Sequence, residues 1–123
     1  MPELALLGRR ILIVEDEYLL AEELMMALSE AGAQVMGPAG FLPDALSLIG
    51  DGNAIDAAVL DVHLRGEMVF PAADLLFERG TPFVFTTGFD ASMIPKRFAQ
   101  VSRCEKPLDM NQLIRAVAKA LAD

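Results

Sequence analysis

The sequence predicts a doubly wound α/β domain, a five-stranded parallel sheet with helices on both faces. Short apolar runs alternate with helical patterns along the whole chain, as repeated βα units require. The runs at 11–14 and 57–60 are continuously apolar, as strands covered on both faces should be. A chain of 123 residues, 54% hydrophobic and 23% charged, has the size and composition of one globular domain with one core.

The elements follow in order. Ile11-Leu12-Ile13-Val14, Ala33-Gln34-Val35-Met36, Ala57-Ala58-Val59-Leu60, Phe83-Val84-Phe85-Thr86 and, more weakly, Val101 to Glu105 read as strands. From Tyr18 to Ala31, Leu20, Leu24, Ala27, Leu28 and Ala31 recur at helical spacing, and Gly32 ends the pattern. Pro43 to Ile49 forms a short second helix, with Pro43 tolerated in its first turn, and Pro71 to Arg79 a third. Met110 to Leu121 gathers Leu113, Ile114, Val117 and Leu121 on one face, with Asp109 as its N-cap. Between Gly88 and Gln100 the periodicity decays around Pro95, so a fourth helix at about 91–99 should be short or mobile. Five strands and about five helices fit a single domain over 1–123, with its core in 10–121 and the flavodoxin-like strand order 2-1-3-4-5.

Composition narrows the partners. A formal charge of −8 and a pI near 4.5 repel nucleic acid, and the only close basic pairs are Arg9-Arg10 and Lys96-Arg97. One cysteine, Cys104, allows no internal disulfide and reads as a small buried strand residue in a reducing compartment. No apolar stretch approaches the ~18 residues of a membrane span, and no basic residue precedes Leu4-Ala5-Leu6-Leu7, so a cytoplasmic protein is expected. Met25 and Met26 read as packing residues of the first helix.

In an open parallel sheet the functional crevice lies beyond the carboxyl ends of the strands, where strand order reverses. Glu15-Asp16 follows the first strand, Asp61 the third, Thr87 the fourth and Lys106 the fifth. Taken singly, each has a plain explanation: a helix cap, a turn residue or a solvated lysine. Together they converge on one edge. Carboxylates at 4 Å repel by about 4 kcal/mol per pair at an effective dielectric of 20, so a cation must compensate. Hard oxygen ligands suit Mg²⁺, and Lys106 adds a second positive charge. Such a pair flanking one carboxylate would neutralise charge on a transferring phosphoryl group, which makes Asp61 a nucleophile.

These residues, at these spacings, resemble the receiver domain of two-component response regulators from Arg10 to Leu121. The matching segments are Ile11 to Glu17, Leu60-Asp61-Val62, Pro82 to Gly88 and Lys106-Pro107. The resemblance implies that Glu15, Asp16, Asp61 and the main-chain carbonyl of His63 hold Mg²⁺ and that Asp61 is the phosphoacceptor. It further implies that Thr87 and Lys106 contact the phosphoryl group, and that Lys106-Pro107 is cis. Gly66 to Pro71 and Phe85-Thr86-Thr87-Gly88-Phe89 are similar to the single-domain FAT GUY receivers, with Thr86 for Ala and Phe89 for Tyr. Arg103 stands where many receivers carry a switching aromatic, Leu108 where Phe is frequent, and Glu105 is an unexpected charge that either pairs near Arg103 or marks an edge strand. The sole histidine, His63, is expected to be an exposed loop residue that contributes only its carbonyl.

The function implied is a monomeric phosphorelay receiver without an output domain. It would be phosphorylated by a histidine kinase or histidine phosphotransfer protein and signal through protein contacts, rather than act as an enzyme. Two alternatives stay open. One is a pseudo-receiver that binds a partner without phosphate. The other is a Mg²⁺-dependent phosphohydrolase with an aspartyl-phosphate intermediate, which usually needs a second acid/base carboxylate where Val62 and His63 follow Asp61.

Overall fold

A computed structural model describes residues 4–88 and 91–123. Five parallel strands, β1 (Arg10–Val14), β2 (Gln34–Ala39), β3 (Ala57–Asp61), β6 (Phe83–Thr87) and β7 (Arg103–Glu105), lie in the order β2-β1-β3-β6-β7. This is the expected 2-1-3-4-5 arrangement. Two short strands, β4 (His63–Leu64) and β5 (Glu67–Met68), form a separate antiparallel hairpin after β3 that the periodicity did not suggest. The helices are α1 (Tyr18–Glu30), α2 (Leu42–Gly50), α3 (Phe70–Glu78) and α4 (Met110–Ala122).

Alternation along the strands divides the interior into two apolar layers. Leu12, Val14, Leu60, Phe83 and Phe85 face α2 and α3. Ile11, Ile13, Val59, Val84 and Cys104 face α1 and α4, where Leu24, Leu28, Leu113 and Val117 complete the layer. Parallel strands buried on both faces explain why the first and third runs carry no polar residue.

Several expectations shift in detail. The second strand runs to Ala39 through Gly37-Pro38, where a bulge in the β1 pairing and the positive φ of Gly37 (92°) admit the main chain. A Cβ at Gly37 would lie 2.8 Å from the Ala39 nitrogen and 2.9 Å from the Ile13 oxygen, so the close approach needs glycine there. In place of a fourth helix at 91–99 there are two 3₁₀ turns, Ala91–Met93 and Lys96–Phe98, so the domain has four α-helices rather than five among the described residues. Phe98 anchors the second turn in an aromatic cluster, 5.6 Å from Phe85, 5.9 Å from Phe70 and 5.9 Å from Phe83 between ring centroids. Met26 is 64% exposed rather than packed, whereas Met25 does pack against the α1 layer. His63 is half-buried in β4, not an exposed loop residue.

Asp109 caps α4 as its sequence position predicts, accepting from the N–H groups of Asn111 and Gln112. Replacing it with Ala should cost about 1 kcal/mol in urea unfolding. Phe98→Ala should cost about 3–5 kcal/mol, because it empties a fully buried ring site. A loss below about 1 kcal/mol for Phe98→Ala would mean that the 3₁₀ segment collapses to refill the space.

Candidate functional site

Three strands end at one place because the order reverses between β1 and β3. Glu15 leaves the end of β1, its N–H donating to the Ala39 carbonyl at 3.0 Å. Asp61 is the last residue of β3 and Thr87 the last of β6, so both belong to their strands rather than to the loops beyond. The carboxylates of Glu15 (3% exposed) and Asp61 (5% exposed) are buried, and Asp16 lies beside them at the rim. One oxygen from each of Glu15, Asp16 and Asp61 falls within 4.8 Å of the others, a spacing that fits a metal ion.

Lys106 completes the site from beyond β7. Its Nζ lies 3.1 Å from Asp61 Oδ2 and 3.2 Å from Glu15 Oε1, so one ammonium spans the side chain just beyond β1 and the one that ends β3. Its main-chain N–H donates to the Thr87 carbonyl at 2.8 Å, which ties Thr87 and Lys106 together. The Lys106-Pro107 peptide is cis. Gly88 lies beside the lysine stem, where a Cβ would make ordinary van der Waals contact with Lys106 Cδ at 3.8 Å.

The charges do not balance without a further cation. Burial pushes the Glu15 carboxyl up to about 7, and the neighbouring Asp61 charge adds to the effect against the opposing pull of the Glu17 N–H and Lys106. Burial also works against the Lys106 ammonium, but the Asp61 and Glu15 carboxylates outweigh it and raise its pKa above an ordinary lysine's. Glu15 Oε2 accepts from the Glu17 N–H at 3.0 Å, whereas the buried Oε1 has only the ion contact with Lys106 and no aligned hydrogen bond. Three carboxylates against one ammonium, with one buried carboxylate oxygen held only by an ion contact, form a donor set that suits a hard divalent cation.

Two contacts at the site were not foreseen. The His63 N–H points to Asp61 Oδ1 at 3.5 Å, and the Arg65 N–H donates to Asp16 Oδ2 at 3.0 Å. Both come from the β4–β5 hairpin, whose two-residue loop Arg65-Gly66 has φ of 38° and 85°. Positive φ at both positions is the type I′ requirement, and Gly66 was the one sequence signal for it. Phe89, part of the likeness to FAT GUY receivers, lies outside the described residues.

No protein-family model matches the chain. Among solved structures, a response regulator receiver protein from Sinorhizobium medicae WSM419 superposes with a TM-score of 0.82 at 26% identity, over 94% of this chain and 95% of the other. SdrG from Sphingomonas melonis Fr1 gives a TM-score of 0.82 at 39% identity, over 94% of this chain and 98% of SdrG. The chain belongs to the response-regulator receiver domains. The receiver is also 29% identical over 122 residues to the transcriptional regulatory protein PdtaR of Mycobacterium tuberculosis, and spans 59% of that relative's length. A BeF₃-activated conformation of SdrG superposes on it less closely, with a TM-score of 0.75 at 38% identity over 98% of this chain and 99% of the other. No helix among the described residues of the receiver is long and apolar enough to cross a membrane.

The raised Glu15 pKa sets a sign for stability in the metal-free protein. An unfolded chain releases this proton near the ordinary value of 4.5, while the folded chain keeps it to about 7. Folded protein therefore holds more protons across that window, and stability falls as pH rises through it. Metal-free Glu15→Gln should be the more stable protein at pH 8 in urea titrations, with the gap closing toward pH 4.5. A gap that widens on acidification would contradict the assignment.

Proposed function

We propose that this receiver accepts a phosphoryl group on Asp61 from the phosphohistidine of a kinase or phosphotransfer protein, with Mg²⁺ held by Glu15, Asp16, Asp61 and the His63 carbonyl. The observation that carries the reading is the bracketing of one buried strand-end carboxylate, Asp61, by the Lys106 ammonium at 3.1 Å and by the paired acidic residues of the β1 end. The existence of a BeF₃-activated conformation of SdrG supports it, since beryllofluoride mimics a phosphoryl group.

An Asp61 oxygen attacks phosphorus in line. The new P–O bond forms as the P–N bond to the imidazole breaks, and the imidazole leaves with the electron pair and takes a proton. The transition state spreads negative charge over the equatorial oxygens, so positioning and electrostatics account for most of the catalysis. Lys106, already beside Asp61, turns its ammonium toward a phosphoryl oxygen. Thr87 at the end of β6 offers a hydroxyl to another. Mg²⁺ held by Glu15, Asp16, Asp61 and the His63 carbonyl would supply charge neutralisation to the carboxylate cluster and to the incoming phosphoryl group. The signal then passes through protein contacts of a single receiver unit over residues 1–123.

The test is a Mg²⁺ titration followed by beryllofluoride, read by NMR shifts of Asp61, Thr87 and Lys106, with phosphoramidate as a small P–N donor read by intact mass. Saturable Mg²⁺-dependent shifts and a hydroxylamine-labile mass gain that disappears in Asp61→Ala are expected. Lys106→Ala should slow phosphorylation by about 10²-fold, the scale of losing one preorganised charge-stabilising group. Phosphorylation that persists in Asp61→Ala would sink the assignment. Silence toward both Mg²⁺ and beryllofluoride would leave a pseudo-receiver that binds its partner without phosphate.

A further inference from the structure

Arg65 occupies a backbone conformation that its side chain does not favour. It is the only non-glycine residue with positive φ among the described residues, at 38°. The first position of a type I′ loop prefers Asn, Asp or Gly, and a branched or long side chain there raises the energy of the turn. Strain of this kind persists where the surroundings hold it in place, and it concentrates at functional sites.

The surroundings of Arg65 show what holds it. Its guanidinium carbon lies 4.9 Å from the centre of the Phe41 ring, in the range of a cation–π contact. Nη2 reaches the main-chain oxygen of Asp16 at 3.5 Å, and its own N–H donates to Asp16 Oδ2 at 3.0 Å. Phe41 immediately precedes α2, and Gly40 before it packs against the Asp16 main chain, where a Cβ would meet Asp16 Cα at 3.7 Å. One side chain thereby joins three loops, those after β1, β2 and β3, around a single carboxylate. Arg65 also lines a cavity of about 410 Å³ together with Glu15, Asp16, Tyr18 and Gly40, so it stands at the open side of the acidic cluster.

We propose that Arg65 is a positioning residue of the acidic site: stacked on Phe41, it fixes the β4–β5 loop so that its main-chain N–H holds the Asp16 carboxylate in place for a divalent cation. This rests on the phosphoacceptor reading only in taking Asp16 as a metal ligand. A carboxylate with one oxygen already fixed loses less freedom on binding the ion. Groups that orient metal ligands in this way typically matter by a factor of ten or more in metal affinity.

Simple electrostatics predicts the opposite sign. A guanidinium at the mouth of a cation site repels the incoming ion, so if Arg65 were only a nearby charge, removing it would tighten Mg²⁺ binding.

The experiment uses Arg65→Asn, Arg65→Lys, Phe41→Ala and the double variant Arg65→Asn/Phe41→Ala, each titrated with Mg²⁺ alone by NMR and unfolded thermally without metal. Asn suits the type I′ position and retains the N–H, so Arg65→Asn should unfold at the same temperature as the parent or higher. Its Mg²⁺ affinity should nevertheless fall about tenfold. Phe41→Ala should weaken Mg²⁺ binding by a similar factor, and the double variant should be no weaker than either single one, because both remove the same clamp. Lys keeps a cation over the ring and should recover most of the affinity. Unchanged or tighter Mg²⁺ binding by Arg65→Asn overturns the proposal while leaving the phosphoacceptor reading intact. A parent protein that binds no Mg²⁺ at millimolar concentration overturns both.

Discussion

The structure depends on one ammonium. Lys106 stands 3.1 Å from Asp61 and 3.2 Å from Glu15, at the point where the order β2-β1-β3-β6-β7 brings acidic strand ends together. Two buried carboxylates with no cation between them would push this edge of the sheet apart, and leaving a buried charge unpaired is among the more costly changes a fold can suffer. Lys106 eases the repulsion only in part. Burial still forces the Glu15 carboxyl up to about 7. The domain therefore folds around a site that is electrostatically unfinished, and a site of that kind gains most from a divalent cation.

The chain between β6 and β7 solves a different problem. Pro95 and weak periodicity leave no long helix there, so the segment is held by what it buries. Phe98 inserts among Phe70, Phe83 and Phe85, and Arg97 makes a two-pronged pair with Asp74 of α3 at 2.8 and 2.9 Å. Both partners of that pair are about half exposed, so it contributes little to stability, on the order of 0–1 kcal/mol, and mainly fixes where the turn lies. The aromatic ring supplies the energy and the ion pair the direction. Arg103 and Glu105 meanwhile point to solvent from β7, a three-residue strand at the sheet edge, and charged residues suit an edge that must not pair with another sheet. No switching aromatic stands at that position.

How much of this was legible in the sequence follows from the physics of each feature. The five main strands and the strand order were readable because continuous apolar runs separated by amphipathic helices have few other solutions. Glu15, Asp16, Asp61, Thr87 and Lys106 were readable as a group because the switch-point rule assigns them to one edge without any distance being known. The β4–β5 hairpin was not readable, since its strands are two residues long, too short for a period, and its loop puts Arg where Asn or Asp would have announced the turn. Met26 was misread because α1 alternates apolar residues on both faces, and periodicity alone does not say which face the sheet covers. Glu105 had two readings, and its exposure at the sheet edge selects one of them.

Thr87 and Lys106 do not move independently. The Lys106 N–H is bonded to the Thr87 carbonyl at 2.8 Å, and Thr87 pairs with Glu105 in the β6–β7 register. On the other side, the Val62 N–H donates to the Thr86 carbonyl at 3.0 Å, which locks the residue after Asp61 to the same strand end. A group arriving at Asp61 therefore meets side chains whose main chains are already joined across β3, β6 and β7. β7 is paired along one edge only and is the shortest of the five strands, so it has the fewest bonds resisting displacement. Lys106 follows directly on this strand, whose flanking side chains, Arg103 and Glu105, face solvent.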